Sequence, residues 1–480
     1  MIPRPSSHTP FGPQVPLGPI AESLDQSLPP EGYLLEVDEF GVDITAGSAA
    51  GVFYARQTLR QLLPPATLRR APAHEQTLPV VRVEDAPRFR WRGVLLDVAR
   101  HFMPVADVLR FVDLIAFHKL NVLHLHLTDD QGWRFGVPGW PRLTTVGAWR
   151  PRTMLGDRRH ELYEERPHGG YYSDDDLREI VAYAKARFVT VLPEVDMPGH
   201  MQAAIAAYPE LGNGFAGGVR TSWGISQHVL KPDEATLDFC RQVLDHVCSI
   251  FPSELIGIGG DECPRDEWQG ADHQPWFTAQ LAAHLRTHGR RVYGWDEILA
   301  GGAPADATIA AWRGVEPAVL AARAGHDVVC CPDFALYLDY RQSDDPGEPT
   351  PVGIRLTLED VYSFEPVPPG VDPVRIAGAQ ANLWTEHMES SRRVDYMAFP
   401  RLCAFAETVW GPPERDFADF SARLVPHLER LDALGVNYRP LTGPRPWDAR
   451  PDAPGRPQTR EERAAHIARI TQDLRPHSDA

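Results

Sequence analysis

The sequence lacks the features that mark proteins which bind nucleic acid or cross a membrane. Its 480 residues include 65 acidic and 48 basic side chains, for a net charge of −17, and no run of basic residues stands out. We therefore expect neither nucleic acid nor an anionic membrane surface as a partner. No stretch of about 18 apolar residues occurs, so a transmembrane helix is not expected either.

Cysteine is also scarce, with six residues in the whole chain. Cys330 and Cys331 are adjacent, while Cys240 and Cys248 fall on one predicted helix, too far apart to bridge. This usage predicts buried, reduced thiols rather than a disulfide framework. The N-terminal residues are rich in proline and contain no apolar core of signal-peptide length, so the sequence predicts a cytoplasmic protein.

The chain divides into four predicted segments. Residues 1–30 are Pro-rich and are expected to be poorly ordered. Residues 31–86 contain a strand–turn–strand–helix pattern and a linker, which predict a small, abbreviated α+β domain. Residues 87–447 form the large domain, and residues 448–480 are predicted to be a peripheral tail with one short helix over Arg460–Leu474.

From Arg90 onward, short apolar runs alternate with helical patterns, as in parallel sheets. The predicted strands are Gly93–Val98, Val122–Leu127, Val189–Val195, Leu255–Gly259, Val292–Trp295, Thr308–Trp312, Asp327–Cys331 and Arg375–Ala379. The predicted helices between them include Ala106–Lys119, Asp174–Ala186, Glu234–Ile250 and Pro317–Ala324. This alternation predicts an α/β fold, a (β/α)8 TIM barrel preceded by the small α+β domain. A doubly wound open sheet is the alternative, although neither standard Gly-rich phosphate loop is present.

The stretch Leu255–Glu262 (LIGIGGDE) carries the clearest chemical signal. An apolar run followed by Gly259 and Gly260 predicts a buried strand with a sharp turn or a close approach at its carboxyl end. Asp261 and Glu262 then lie where barrel enzymes place their chemistry. Adjacent carboxylates raise each other's cost of ionisation, which favours one acid and one base. The alternative is a strand end with a solvated acidic turn.

Charged or large aromatic residues follow all eight predicted strands, which packing alone does not explain. In chain order, these residues are Asp97 and Arg100, His124, His126 and Asp129, Glu194, Asp196 and His200, Asp261 and Glu262, Trp295, Trp312, Tyr337 and Asp339, and Trp384 and Glu386. Tryptophan and tyrosine offer apolar faces with polar edges, and they alternate here with groups that bind hydroxyls. The set predicts a sugar site, and its acidic members argue against an anionic ligand.

Eight short motifs occur in order over residues 87–447: Asp97–Phe102 (DVARHF), Leu123–Trp133 (LHLHLTDDQGW), Leu192–His200 (LPEVDMPGH), Ile258–Glu262 (IGGDE), Tyr293–Trp295 (YGW), Tyr337–Asp339 (YLD), Leu383–Glu386 (LWTE) and Tyr396–Arg401 (YMAFPR). Together they resemble glycoside hydrolase family 20, the β-N-acetylhexosaminidases. The segment 32–63 resembles the end of the small domain that precedes the barrel in that family.

The resemblance implies an exo-acting, retaining glycosidase for terminal β-linked GlcNAc or GalNAc that needs no cofactor and no metal. In this family the substrate's own 2-acetamido oxygen attacks the anomeric carbon and forms an oxazolinium ion. Glu262 would then act as general acid and afterwards as general base, Asp261 would orient the acetamido group and stabilise its charge, and Tyr337 would donate to the acetamido oxygen. The resemblance also implies that the acetamido methyl and the sugar ring are enclosed by Trp295, Trp312 and Trp384. Ring hydroxyls would be bound by Arg100, Asp339 and Glu386, and the pKa of Glu262 would be tuned by Asp129 and His200.

Two other functions remain open on the sequence. A metal-dependent barrel hydrolase would draw its ligands from His124, His126, Asp129, His200 and Asp261. A non-catalytic amino-sugar-binding barrel would keep the aromatic pocket without using the two acids. The preference between GlcNAc and GalNAc and the oligomeric state are also left open.

Overall fold

The computed structural model describes residues 1–71 and 76–474. Residues 72–75 of the predicted linker and residues 475–480 of the predicted tail lie outside the described residues. None of the helices in the described part of the chain combines the length and the apolar character that crossing a bilayer requires. All six cysteines are free thiols, four of them buried, and burial raises the pKa of Cys240 to about 12.

A five-stranded mixed sheet, in the order β1-β5-β3-β4-β2, lies at the N-terminus. Its strands are β1 (Ser7–Pro16), β2 (Ile20–Leu24), β3 (Tyr33–Val37), β4 (Val42–Ala46) and β5 (Thr77–Asp85). Helix α1 (Ala49–Leu62) packs on one face and begins after Ser48, whose side chain accepts a hydrogen bond from the Ala50 amide. Alternate residues of β3 and β4, including Leu35 and Ile44, point to the core beneath that helix.

The structure differs from the prediction that residues 1–30 are poorly ordered. Strand β1 pairs antiparallel with β5 at one edge of the sheet, and β2 pairs parallel with β4 at the other. An edge strand tolerates the prolines of β1, because its outward amide positions need no partner in the ladder. The first residues are anchored as well, since the Gln61 side chain bonds both the N–H and the carbonyl of Ile2 at 2.7 Å. The small sheet is therefore larger than the abbreviated one that was predicted.

Eight parallel strands close into a barrel, which confirms the predicted fold class. The barrel strands are β6 (Trp91–Asp97), β7 (Val122–His126), β14 (Thr190–Glu194), β15 (Leu255–Gly257), β16 (Arg291–Trp295), β17 (Thr308–Ala311), β18 (Asp327–Cys330) and β20 (Ile376–Leu383). The last strand continues four residues beyond its predicted end. The prediction stops at Ala379 because Gln380 and Asn382 interrupt the apolar pattern of the strand. These two amides are buried inside the barrel, where Gln380 bonds His124 and Asn382.

Helices surround the barrel and connect its strands. They are α2 (Val105–Phe117), α3 (Arg142–Thr145), α4 (Asp174–Lys185), α5 (Gln202–Ala207), α6 (Glu234–Ile250), α7 (Gln274–Thr287), α8 (Glu316–Arg323), α9 (Asp333–Leu336), α10 (Leu358–Ser363), α11 (Ser391–Ala398), α12 (Arg401–Trp410), α13 (Phe417–Ala433) and α14 (Arg460–Ile470). Helix α4 begins after Ser173, which forms a capping box with Asp176.

Short strand pairs stiffen the loops outside the barrel. They are β8 (Thr128–Asp129) with β9 (Gly132–Trp133), β10 (Trp149–Arg150) with β13 (His168–Gly169), β11 (Thr153–Leu155) with β12 (Leu162–Glu164), and β19 (Val352–Gly353) with β21 (Arg456–Pro457). The last pair includes β21 of the C-terminal segment, which was predicted to be peripheral. Up to residue 474 that segment is docked, because β21 joins β19 and α14 packs against the loops after β17 and β18.

Candidate active site

Asp261 and Glu262 follow β15 at the carboxyl end of the barrel, as the sequence predicts. Gly259 and Gly260 precede them with φ values of +66° and +85°, a region that favours glycine. A Cβ on Gly259 would collide with the Asp196 carboxylate. The backbone therefore needs glycine here to turn the two acids into the barrel mouth. Glu262 and His200 themselves have positive φ values of 45° and 53°, and strain of this kind is typical of functional sites.

The environment of Glu262 favours its neutral form. Its side chain keeps 29% exposure towards the mouth, yet protein surrounds it on most sides. This burial raises the pKa of Glu262 to about 7; His200 opposes the rise, and the neighbouring Asp261 carboxylate adds to it. A carboxyl group with a pKa near neutrality is suited to give and to take a proton at pH 7.

His200 connects the two acids to the charged groups behind them. Its Nε2 lies 3.9 Å from Asp261 Oδ2 and 3.8 Å from Glu262 Oε2, while its Nδ1 lies 3.2 Å from Asp129 Oδ1. Although burial opposes it, the carboxylates of Asp129 and Asp196 raise the pKa of His200 well above its usual value. Burial and Asp261 in turn raise the pKa of Asp196. The imidazolium thus lies between Asp129 and the two acids, where its charge opposes the rise in the pKa of Glu262.

Trp295, Trp312, Tyr337 and Trp384 form an aromatic wall. The rings of Trp295 and Trp384 lie 5.8 Å apart, those of Tyr337 and Trp384 6.2 Å apart, and those of Trp312 and Tyr337 6.0 Å apart. Burial raises the pKa of Tyr337 well above its usual value, so its hydroxyl remains a donor. Glu297, in the turn after β16, accepts a hydrogen bond from Trp312 Nε1 at 3.0 Å and fixes that ring.

Several buried polar atoms around this wall have no hydrogen-bond partner among the described residues. They are Asp261 Oδ1, Asp339 Oδ1, His200 Nε2 and Trp295 Nε1. Buried polar groups are normally paired, and unpaired ones that cluster in a pocket mark the positions where a ligand supplies the partner. The four atoms offer both acceptors and donors, which fits a ligand with hydroxyl and amide groups.

Arg100 reaches the site from the loop after β6. It forms an ion pair with Asp129 at 2.8 Å and donates to Asp97 at 3.3 Å and to Gln131 at 3.2 Å. Its guanidinium carbon lies 5.1 Å from the Trp384 ring. Burial raises the pKa of Glu386, whereas the charge of Arg100 opposes this rise. Asp97 also accepts from the Thr385 amide at 3.0 Å, so it joins the loops after the first and last strands.

A buried row of charged groups runs behind the acids. His126 bonds Asp129 at 2.8 Å through Nε2 and Glu194 at 2.5 Å through Nδ1. Both nitrogens of His126 are therefore engaged, and His124 lies 3.0 Å from the same Glu194. The residue trios at this site whose ligand atoms converge within 4.8 Å, among the described residues, are Asp129–Asp130–His200 and Asp196–His200–Asp261. The histidine pair on which the metal-dependent alternative rests belongs to neither trio.

The predicted site residues thus come together at one end of the barrel. Asp97, Glu194 and Asp196 stand at strand ends in the sequence without a predicted role, and Glu297 is not among the predicted site residues. A signal for Glu297 exists, because it follows Trp295 by two residues. Asp333 and Arg463, which lie behind Trp312, are not predicted either, because no local motif marks them.

Comparison with known families and structures agrees with this geometry. Residues 89–413 match the model described as "Glycosyl hydrolase family 20, catalytic domain", and residues 7–86 match "Glycosyl hydrolase family 20, domain 2". The second match includes β1 and β2, the two N-terminal strands that the sequence does not predict.

Individual relatives carry the same names. The chain is 41% identical to a β-hexosaminidase of Porphyromonas gingivalis over 86% of its own length and 56% of the relative's. It is 37% identical to a β-N-acetylhexosaminidase of Cellulomonas fimi, over 86% of this chain and 82% of that one. A solved β-N-acetylhexosaminidase from Streptomyces coelicolor A3(2) superposes with a TM-score of 0.81 at 32% identity, covering 92% of this chain and 98% of that one. The chain therefore spans little more than half the length of the Porphyromonas relative.

Proposed function

The chain belongs to glycoside hydrolase family 20, and from that premise we propose that it is an exo-acting, retaining β-N-acetylhexosaminidase that removes terminal β-linked GlcNAc or GalNAc. The observation that carries this proposal is the juxtaposition of Asp261 and Glu262, the latter with a pKa of about 7, beside an aromatic pocket. We also propose residues 87–447 as the catalytic domain.

The first step uses the substrate's 2-acetamido oxygen as the nucleophile. Asp261 Oδ1 is buried and unpaired among the described residues, so it is available to accept the acetamido N–H. Tyr337, kept protonated by burial, donates to the acetamido oxygen and holds it towards C1. A nucleophile tethered to the substrate gains from proximity when the pocket keeps it in attack geometry. The Asp261 carboxylate then stabilises the positive charge that spreads into the oxazolinium ring.

Glu262 moves the protons in both steps. As a neutral acid it gives its proton to the glycosidic oxygen while the bond to the leaving group breaks. The resulting carboxylate then takes a proton from the water that opens the oxazolinium ion, and the original acid is restored. His200 and Asp129 tune this cycle from behind, because their charges act on Glu262 through the contacts of His200.

The walls of the pocket set what the enzyme accepts. Trp295, Trp312 and Trp384 enclose the acetamido methyl and the sugar ring, while Arg100, Asp339 and Glu386 bind ring hydroxyls. The unpaired Asp339 Oδ1 supports its assignment as a hydroxyl acceptor. A pocket closed in this way accepts the end of a chain, which supports exo cleavage.

The proposed activity is tested by comparing substrates with and without the 2-acetamido group. Rates on matched aryl β-GlcNAc, β-GalNAc and β-glucoside substrates are compared, together with product analysis on chito-oligomers. We expect turnover of the N-acetylated sugars and release of single residues from the chain end. Turnover of the glucoside at a similar rate, or cleavage within the oligomer, would contradict it. Unchanged activity after exhaustive chelation separates this mechanism from the metal-dependent alternative.

A further inference from the structure

The C-terminal segment is fastened to the loops outside the barrel's carboxyl end. The Asp157 amide donates to the carbonyl of Pro454 at 2.8 Å, and the Gln458 amide donates to that of Gly353 at 2.9 Å. A Cβ on Gly455 would collide with the Pro351 carbonyl, so the two backbones touch. Strand β21 and these bonds lead the chain into α14 and present that helix to the site.

Arg463 reaches inward from α14. Its Nε donates to Asp333 Oδ2, and only 16% of its side chain is exposed. Asp333 is fully buried, and the Tyr340 hydroxyl donates to the same oxygen at 3.3 Å. The guanidinium carbon of Arg463 lies 6.0 Å from the Trp312 ring and 5.9 Å from the Tyr340 ring. A buried carboxylate that loses its cation is strongly destabilised, so this pair fixes its surroundings.

The groups fixed by this pair are the outer support of the acetamido pocket. The Asp333 amide donates to the Trp312 carbonyl at 3.0 Å. Tyr340 lies 5.9 Å from Tyr337, and Tyr337 stacks on Trp312 at 6.0 Å. A displacement of Asp333 or Tyr340 therefore passes directly to the two rings that hold the substrate's nucleophile.

We propose that Arg463 is a positioning residue for the reaction, acting through Asp333 and Tyr340 to hold Trp312 and Tyr337 in place around the acetamido group. The inference rests on the function proposed for the site. It makes the C-terminal helix a part of the active site, not an appendage.

Arg460 provides a matched control on the same helix. It forms an ion pair with Asp360 at 2.8 Å, but both side chains are substantially exposed and neither touches the aromatic wall. If α14 only adds stability, Arg460→Gln and Arg463→Gln should leave kcat/KM alike, even though loss of the buried pair costs more stability. If Arg463 positions the wall, only the second substitution should change catalysis.

The experiment measures kcat, KM and thermal stability of wild type, Arg460→Gln, Arg463→Gln and Arg463→Lys on an alkyl β-GlcNAc. We expect Arg463→Gln to lower kcat/KM by about 10- to 100-fold, mainly through kcat, because the attack geometry is used in the transition state. Arg460→Gln should stay within about twofold of wild type, since an exposed pair contributes little. Arg463→Lys keeps the charge without the Nε donor, so its kcat/KM should lie between those of the two glutamine variants. It also keeps the test possible if Arg463→Gln does not fold.

The pH dependence of kcat/KM provides a second measurement, which a loss of stability alone would not change. The charge of Arg463 lowers the pKa of Glu262, so its removal should shift the alkaline limb of kcat/KM to higher pH, whereas Arg463→Lys should leave it in place. The inference would be overturned if Arg463→Gln and Arg463→Lys both had the same kcat/KM and the same pH profile as Arg460→Gln. A wild type inactive on every N-acetylhexosaminide would instead refute the proposed function itself.

Discussion

Replacing Glu262 with glutamine tests the proposed acid with almost no change in size. At pH 7 a carboxyl of pKa about 7 is about half protonated, whereas at the ordinary value of 4.5 about 0.3% would be. The environment therefore enriches the acid form by roughly 150-fold. An amide has no proton to give to the leaving oxygen and cannot take one from water, so the substitution removes this advantage and the transfer itself.

The size of the loss should depend on the leaving group. For alkyl β-GlcNAc substrates, we expect kcat to fall by about 10²- to 10⁴-fold. For aryl substrates with acidic phenols the loss should be smaller, because a stable phenolate leaves without much protonation. The assay is a series of leaving groups of graded pKa, run on Glu262→Gln and on Glu414→Gln, a control at an exposed glutamate. An equal loss for every leaving group would refute the assignment of Glu262 as the acid.

Three further predictions concern the active site and the anchor of the N-terminal residues. The alkaline limb of wild-type kcat/KM should lie near pH 7, because activity falls as Glu262 loses its proton there, and this limb should vanish in Glu262→Gln; a limb that persists in the variant would assign it to another group. Asp261→Asn should raise the barrier by about 3 kcal/mol, as for loss of one charged stabiliser, and kcat on alkyl substrates measures it; an unchanged kcat would remove Asp261 from the mechanism. Gln61→Ala should lower the free energy of unfolding by about 2 kcal/mol, because it leaves the backbone groups of Ile2 unpaired, and urea denaturation would show no change if that anchor is unimportant.

The barrel and its site could be predicted because their signals are local. A parallel barrel buries its strands on both sides, so short apolar runs mark them, and side chains that do not suit a core mark their carboxyl ends. Asp261 and Glu262 are adjacent in sequence and remain adjacent in space. Polar residues that lie inside the barrel, such as Gln380 and Asn382, hid the true end of the last strand.

The N-terminal strand and the C-terminal helix could not be found in the same way. The prolines of β1 suggest disorder, but they are tolerated because the strand lies at a sheet edge and pairs with β5, some seventy residues later. Arg463 contacts Asp333 across 130 residues of sequence. Neither contact leaves a periodic pattern, because the two partners lie far apart in the sequence and meet only in the folded chain.

In the proposed mechanism the substrate's acetamido oxygen, not an enzyme carboxylate, attacks the anomeric carbon. Successive fluorination of the N-acetyl methyl withdraws electrons from that oxygen while changing its size little. Measuring kcat/KM along the series on wild type tests the claim directly. We expect kcat/KM to fall steadily with each fluorine, because a weaker nucleophile slows the step that Asp261 and Tyr337 support. A flat response, together with a glycosyl ester trapped on an enzyme carboxylate, would contradict it and make Asp261 the first candidate nucleophile.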